Sequence, residues 1–128
     1  MNNTKRAAKV AASPSIKVQA LIDKMNEILS VIEKLAAKSD YKGICMYFEF
    51  QGFKGRFKQN NDFGYECMET TKTYPGGETI CISTKNRTIR LICDKKVVCS
   101  KPISPKLVKA LDTSAQIAIF NNRILLFI

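Results

Sequence analysis

Between Ser13 and Lys38 the apolar residues Val18, Leu21, Met25, Ile28, Ile32 and Leu35 are separated by steps of 3, 4, 3, 4 and 3. No extended strand places such residues on one side, so the spacing predicts a helix over residues 14–38. Ser13 is its expected N-cap, with Pro14 at the first helical position, where a missing N–H costs nothing. Ile22, Leu29 and Ala36 widen the stripe beyond a two-stranded coiled-coil seam. A stripe of that width fits a helix lying on a sheet or in a bundle. At about 25 residues and 1.5 Å per residue the helix is roughly 37 Å long, more than a small sheet needs. Leu21, Met25, Ile28, Ile32 and Leu35 are therefore candidate contacts to another protein chain or a second copy as well as to the sheet.

Beyond residue 41 the alternation of apolar and polar positions predicts short antiparallel strands. In "KGICMYFEF", Ile44, Met46, Phe48 and Phe50 fall on one side. "GFKGRFKQ" alternates Phe53, Gly55 and Phe57 with Lys54, Arg56 and Lys58, which makes the aromatics core and the cations an outer stripe. "QNND" and "YPGGE" are turn signals around the strand "FGYECME". "TICIST" and "RTIRLIC" flank a tight turn at "KNR", and "CDKKVVC" predicts a hairpin around Asp94 and Lys95. Ser104 and Pro105 open a short helix of about two turns. "QIAIFNNRILLFI" completes the chain as a hairpin around Asn121 and Asn122, ending in a buried strand. The expected class is α+β: a long N-terminal amphipathic helix on an antiparallel sheet of about seven or eight short strands, with a short helix before the C-terminal hairpin. Residues 1–13 are expected to form a flexible basic arm, and residues 14–128 a single domain with its β-rich part at 41–128.

The chemistry of the chain is set by what its 128 residues omit. There is no histidine, so the commonest general base is missing and a cysteine nucleophile lacks its usual partner. The five cysteines include no CxxC pair, so buried thiols are expected rather than a metal site. No phosphate-loop or dinucleotide pattern occurs. The expectation is a protein without catalytic residues or cofactor. The odd cysteine count points to a reducing intracellular compartment: cytoplasm, nucleus or the inside of a virus particle. No apolar run approaches the ~20 residues that cross a bilayer, so no membrane association is expected.

Twenty-one Lys and Arg against eleven Asp and Glu give a net charge of +10, which favours polyanionic partners. Lys54, Arg56 and Lys58 could follow a phosphate backbone at about 7 Å intervals. Lys85, Arg87 and Arg90 with Lys95 and Lys96 form a second set, expected at two neighbouring turns. Lys101, Lys106 and Lys109 form a third, and Lys5, Arg6 and Lys9 lie in the arm. The RNA-recognition strand needs an aromatic residue directly after its basic–Gly pair, but Lys42–Gly43 and Lys54–Gly55 are followed by Ile44 and Arg56. Two functional expectations result. One is a small basic non-enzymatic module binding nucleic acid, RNA or DNA, by charge with little sequence preference. The other is a structural subunit of a virion, ribonucleoprotein or scaffold, held by its long helix and apolar C-terminal strand.

Overall fold

The computed structural model describes residues 16–59 and 65–120, with the side chains of 57–59, 65–68 and 116–120 also outside the description. Within these bounds the protein is α+β. Helices α1 (Ile16–Ala37) and α2 (Tyr41–Gln51) are followed by strands β1 (Lys54–Gln59), β2 (Tyr65–Thr73), β3 (Thr79–Ser83), β4 (Thr88–Cys93) and β5 (Lys96–Pro102), then by α3 (Pro105–Phe120). The strands form one antiparallel meander in the order β1-β2-β3-β4-β5. The expected Ser13–Pro14 cap, the arm, the "QNND" turn and the Asn121–Asn122 hairpin with its last strand lie outside the described residues.

Burial divides the sheet into two unlike faces. Ile80 and Ile82 of β3 and Ile89 and Leu91 of β4 have no exposed surface, and they join Met25, Ile28 and Ile32 of α1, Ile44 and Phe48 of α2, and Leu107 and Leu111 of α3 in one core. All three helices therefore lie on the same face. Met25, Ile28 and Ile32 have their whole surface in this core, while Leu21 and Leu35 are partly buried against it. The stripe expected to serve another chain thus leaves no free surface at its three central positions. The opposite face carries Thr71 beside Cys81 and Arg90 along one row, and Glu69 beside Ser83 and Thr88 along the next.

Two segments differ from the expectation, each replacing an expected strand by helix, and five strands stand among the described residues. "YKGICMYFEFQ" is helical, not extended. The segment is apolar almost throughout, so its alternating set also contains helical pairs such as Ile44–Phe48, and periodicity alone does not separate the two. The ends decide it. Asp40 accepts a hydrogen bond from the Gly43 N–H at 2.9 Å, and a side chain at Gly43 would collide with that carboxylate. At the other end Gly52, with φ +82°, terminates α2. The second difference is α3, which runs for 16 residues through "QIAIF", where a strand was expected. Its cap matches the sequence: the Leu107 N–H donates to Ser104 Oγ at 3.0 Å. Glu33 of α1 accepts from both the Ser104 N–H, at 2.8 Å, and the Ser104 hydroxyl. A carboxylate at a helix N-terminus suits the helix dipole, and here it also fixes α3 to α1.

Helices α1 and α2 end in the same Schellman geometry. Asp40 N–H donates to Leu35 O at 2.9 Å and Ser39 N–H to Ala36 O at 3.0 Å, just as Phe53 N–H donates to Phe48 O at 2.9 Å and Gly52 N–H to Glu49 O at 3.1 Å. The left-handed residue is Ser39, at φ 57°, in one case and Gly52 in the other. A side chain is strained in that conformation. Ser39→Gly is expected to raise stability by about 0.5–1 kcal/mol and Gly52→Ala to lower it by about 1 kcal/mol. Ser104→Ala, which loses the cap and one bond to Glu33, is expected to cost about 1–2 kcal/mol. Urea unfolding followed by circular dichroism checks all three.

Candidate anion-binding edge

The turns of the meander fix where the cations lie. The β3–β4 turn (84–87) and the β4–β5 turn (94–95) stand at opposite ends of β4, because consecutive antiparallel hairpins turn at alternate ends. Lys85 and Arg87 are therefore separated from Lys95 and Lys96 by the length of a six-residue strand, about 20 Å. The two turns are neighbours along the chain, as the sequence suggested, but the fold sets them at opposite ends of β4. They nevertheless share one hairpin. Ile103 N–H donates to Arg87 O at 3.0 Å, which brings the far end of β5 to the first turn. Asp94 and Lys95, at φ 50° and 64°, make the tight two-residue turn expected from their positions.

This hairpin concentrates the charge. Residues 84–103 contain Lys85, Arg87, Arg90, Lys95, Lys96 and Lys101 against the single carboxylate of Asp94. All but Arg90 are exposed. Arg90 is half-buried on the face turned away from the described helices, opposite Cys81 of β3 and Ser100 of β5. Strand β5 forms the sheet edge and is exposed along its length except at Cys99. A register shift between Leu91 and Ile92 makes Val98 an extra residue on β5, and Val97 and Val98 are 49% and 46% exposed. A bulge, flanking lysines and Pro102 are the features that keep an edge strand from pairing with other strands. Side-chain charge, not strand addition, is what this edge offers.

The first cationic set is placed differently. Lys54 and Arg56 lie exposed on β1, at the other edge of the sheet, about 14 Å from β4 across three strand spacings. Arg56 is also neutralised, its guanidinium 3.3 Å from Glu69 on the paired strand. Phe53 is buried against Phe48, with ring centroids 5.1 Å apart, as its alternation predicted. The side chains of Phe57 and Lys58 lie outside the described residues. Of the third set, Lys106 donates to the Ala37 carbonyl at 3.3 Å and caps the C-terminus of α1.

No described cluster of His, Cys, Asp or Glu could hold a metal ion, and no described helix is long and apolar enough to cross a membrane. Cys45 and Cys81 are buried, and Cys93 and Cys99 half-buried. Burial raises the Cys81 thiol above its ordinary pKa, the nearby Glu69 carboxylate adds to the shift, and Arg90 opposes it. A thiol raised in this way is a poor nucleophile at neutral pH. Sequence reasoning missed a second polar group, on the helix-bearing side. There the Lys72 ammonium stands 5.1 Å over the Tyr74 ring and 3.5 Å from Gln51, its pKa lowered by burial and then by Lys24. The Tyr47 and Tyr74 hydroxyls are buried without a hydrogen-bond partner, and burial followed by Glu27 raises the pKa of both. Only the fold brings these residues together, since they come from α1, α2 and β2.

Comparison with protein families, curated proteins and solved structures yields no match. Function must therefore be argued from the site.

The local electrostatics make a direct prediction. Glu69→Gln removes the carboxylate that holds the Cys81 pKa up, so alkylation of Cys81 by iodoacetamide near pH 8 is expected to accelerate by roughly a few-fold. Peptide mass spectrometry over a time course measures this, and an unchanged rate would contradict the assigned coupling.

Proposed function

We propose that the protein is a small basic, non-enzymatic module that binds nucleic acid through the β4–β5 hairpin, by charge and with little sequence preference. The observation that carries this reading is the six-to-one excess of cations over carboxylates in residues 84–103, along an exposed sheet edge. A single strand advancing by ~6–7 Å per phosphate would place about three phosphates along the ~20 Å between the two turns. Lys85 and Arg87 would hold one end, Lys95 and Lys96 the other, with Lys101 and Arg90 between them. Residues 84–103 contain no aromatic residue, so on this reading base stacking by the hairpin contributes little and discrimination between sequences is weak. Lys54 and Arg56 play a lesser part in this reading, because they lie on the opposite edge and Glu69 already neutralises Arg56.

The test is binding of a fluorescent single-stranded oligonucleotide of mixed sequence, measured by anisotropy over a salt series. With about three phosphates neutralised, the slope of log K against log salt is expected near −2. Replacing Lys85, Arg87, Lys95 and Lys96 by Ala should remove most of that slope, whereas Lys54→Ala should change it by less than about one. A salt-independent affinity, or equal loss from both sets, would sink the proposal.

A further inference from the structure

Arg90 differs from the other cations of the hairpin. Lys85, Arg87, Lys95, Lys96 and Lys101 are exposed, whereas Arg90 is half-buried, and its Nε is buried with no hydrogen-bond partner among the described residues. The described ion pairs engage other cations: Lys17 with Glu78, Lys24 with Glu27 and Arg56 with Glu69. A guanidinium held partly out of water is costly unless an anion stands beside it. No described carboxylate supplies that anion.

The neighbours of Arg90 are of the kind that hold an oxyanion. Residues paired directly across antiparallel strands project to the same face. Arg90 pairs with Ser100 on the edge strand and with Cys81 on β3, and Thr88 lies two residues before it on β4. All four therefore stand on the face turned away from the described helices. Ser100 is exposed, with its backbone about 5 Å from that of Arg90. Thr88 stands about 7 Å along the strand. Its hydroxyl, like Arg90 Nε, is buried without a partner.

We propose that Arg90 and the Ser100 hydroxyl, with the Thr88 hydroxyl as a further donor, bind one phosphate of the strand by directed hydrogen bonds. The strand then crosses the β5 edge onto the face turned away from the helices. This rests on the nucleic-acid reading above and adds a fixed point to it. A guanidinium offers two parallel N–H groups to one phosphate, which an ammonium does not. The exposed cations attract the strand by charge, whereas Arg90 sets where its phosphates fall. The apolar groove between Val31 and Leu35 of α1 and Met46, Tyr47 and Phe50 of α2 belongs to the helix layer and takes no part.

Arg90→Lys in the oligonucleotide titration tests this, because the charge is kept and the fork is lost. Affinity is expected to fall about tenfold at every salt concentration with the slope unchanged. Ser100→Ala is expected to lower it about two- to threefold. Circular dichroism and thermal unfolding check that both variants fold. A second measurement uses the unaltered chain. Arg90 opposes the rise that burial and then Glu69 impose on the Cys81 pKa. A phosphate on Arg90 removes that opposition, so saturating oligonucleotide should slow alkylation of Cys81 by roughly two- to threefold. Affinity unchanged in Arg90→Lys, or a Cys81 rate indifferent to the oligonucleotide, would overturn the proposal and leave binding by charge alone standing. A loss confined to guanine-containing strands would assign Arg90 to a base edge, again overturning it. Failure of the unaltered chain to bind any oligonucleotide would overturn both readings.

Discussion

The burial of Met25, Ile28 and Ile32 against Ile80, Ile82, Ile89 and Leu91 governs the rest of the molecule. Hydrophobic burial contributes roughly 1.5–3 kcal/mol for each such side chain, so this contact commits α1 to one face of the sheet. Once α1 is there, α2 and α3 can bury their own apolar faces only beside it. The Glu33 carboxylate reinforces the choice by holding the first turn of α3. The other face carries one row of Thr71, Cys81 and Arg90 and another of Glu69, Ser83 and Thr88, more polar than the helix-bearing face although Cys81 and Ser83 are themselves buried. Strand β5 stands at the edge of the described sheet and is exposed except at Cys99.

Much of this was legible in the sequence, for identifiable reasons. The stripe in α1 repeats often enough that only a helix accommodates it. The β3–β4 and β4–β5 hairpins were visible because turn residues divide short apolar alternations. The segment at 41–51 misled because its residues are apolar at nearly every position and satisfy a period of two as well as 3.6. Its caps, Asp40 and Gly52, carried the missing information and fit a helix better than a strand. The length of α3 was misjudged for a similar reason: "QIAIF" favours a strand locally, whereas Leu107, Ala110, Leu111 and Ala115 draw the helix onward into the core.

The candidate site was only partly legible. Lys85, Arg87, Arg90, Lys95 and Lys96 could be named, but not that their turns stand at opposite ends of one strand. "GFKGRFKQ" draws attention because its cations are close in sequence, yet the fold places Lys54 and Arg56 at the far edge and sets Glu69 opposite Arg56. Cross-strand neighbours are a product of register, which no local pattern contains. The strand reading placed Met46 and Phe50 on one side with Ile44 and Phe48, whereas in the helix Ile44 and Phe48 are buried and Met46 and Phe50 exposed. The two surfaces now have separate characters: a basic sheet edge, and an apolar groove on the helix layer.

The central proposal is that a polyanion is held chiefly along the β4–β5 hairpin. Amide hydrogen exchange of the full chain, with and without a saturating single-stranded oligonucleotide, reads this most directly. The account predicts slower exchange confined to residues 84–87 and 94–101, with β1 and the α1–α2 groove unchanged. Protection centred on residues 54–56, or spread evenly over the helices, would contradict it.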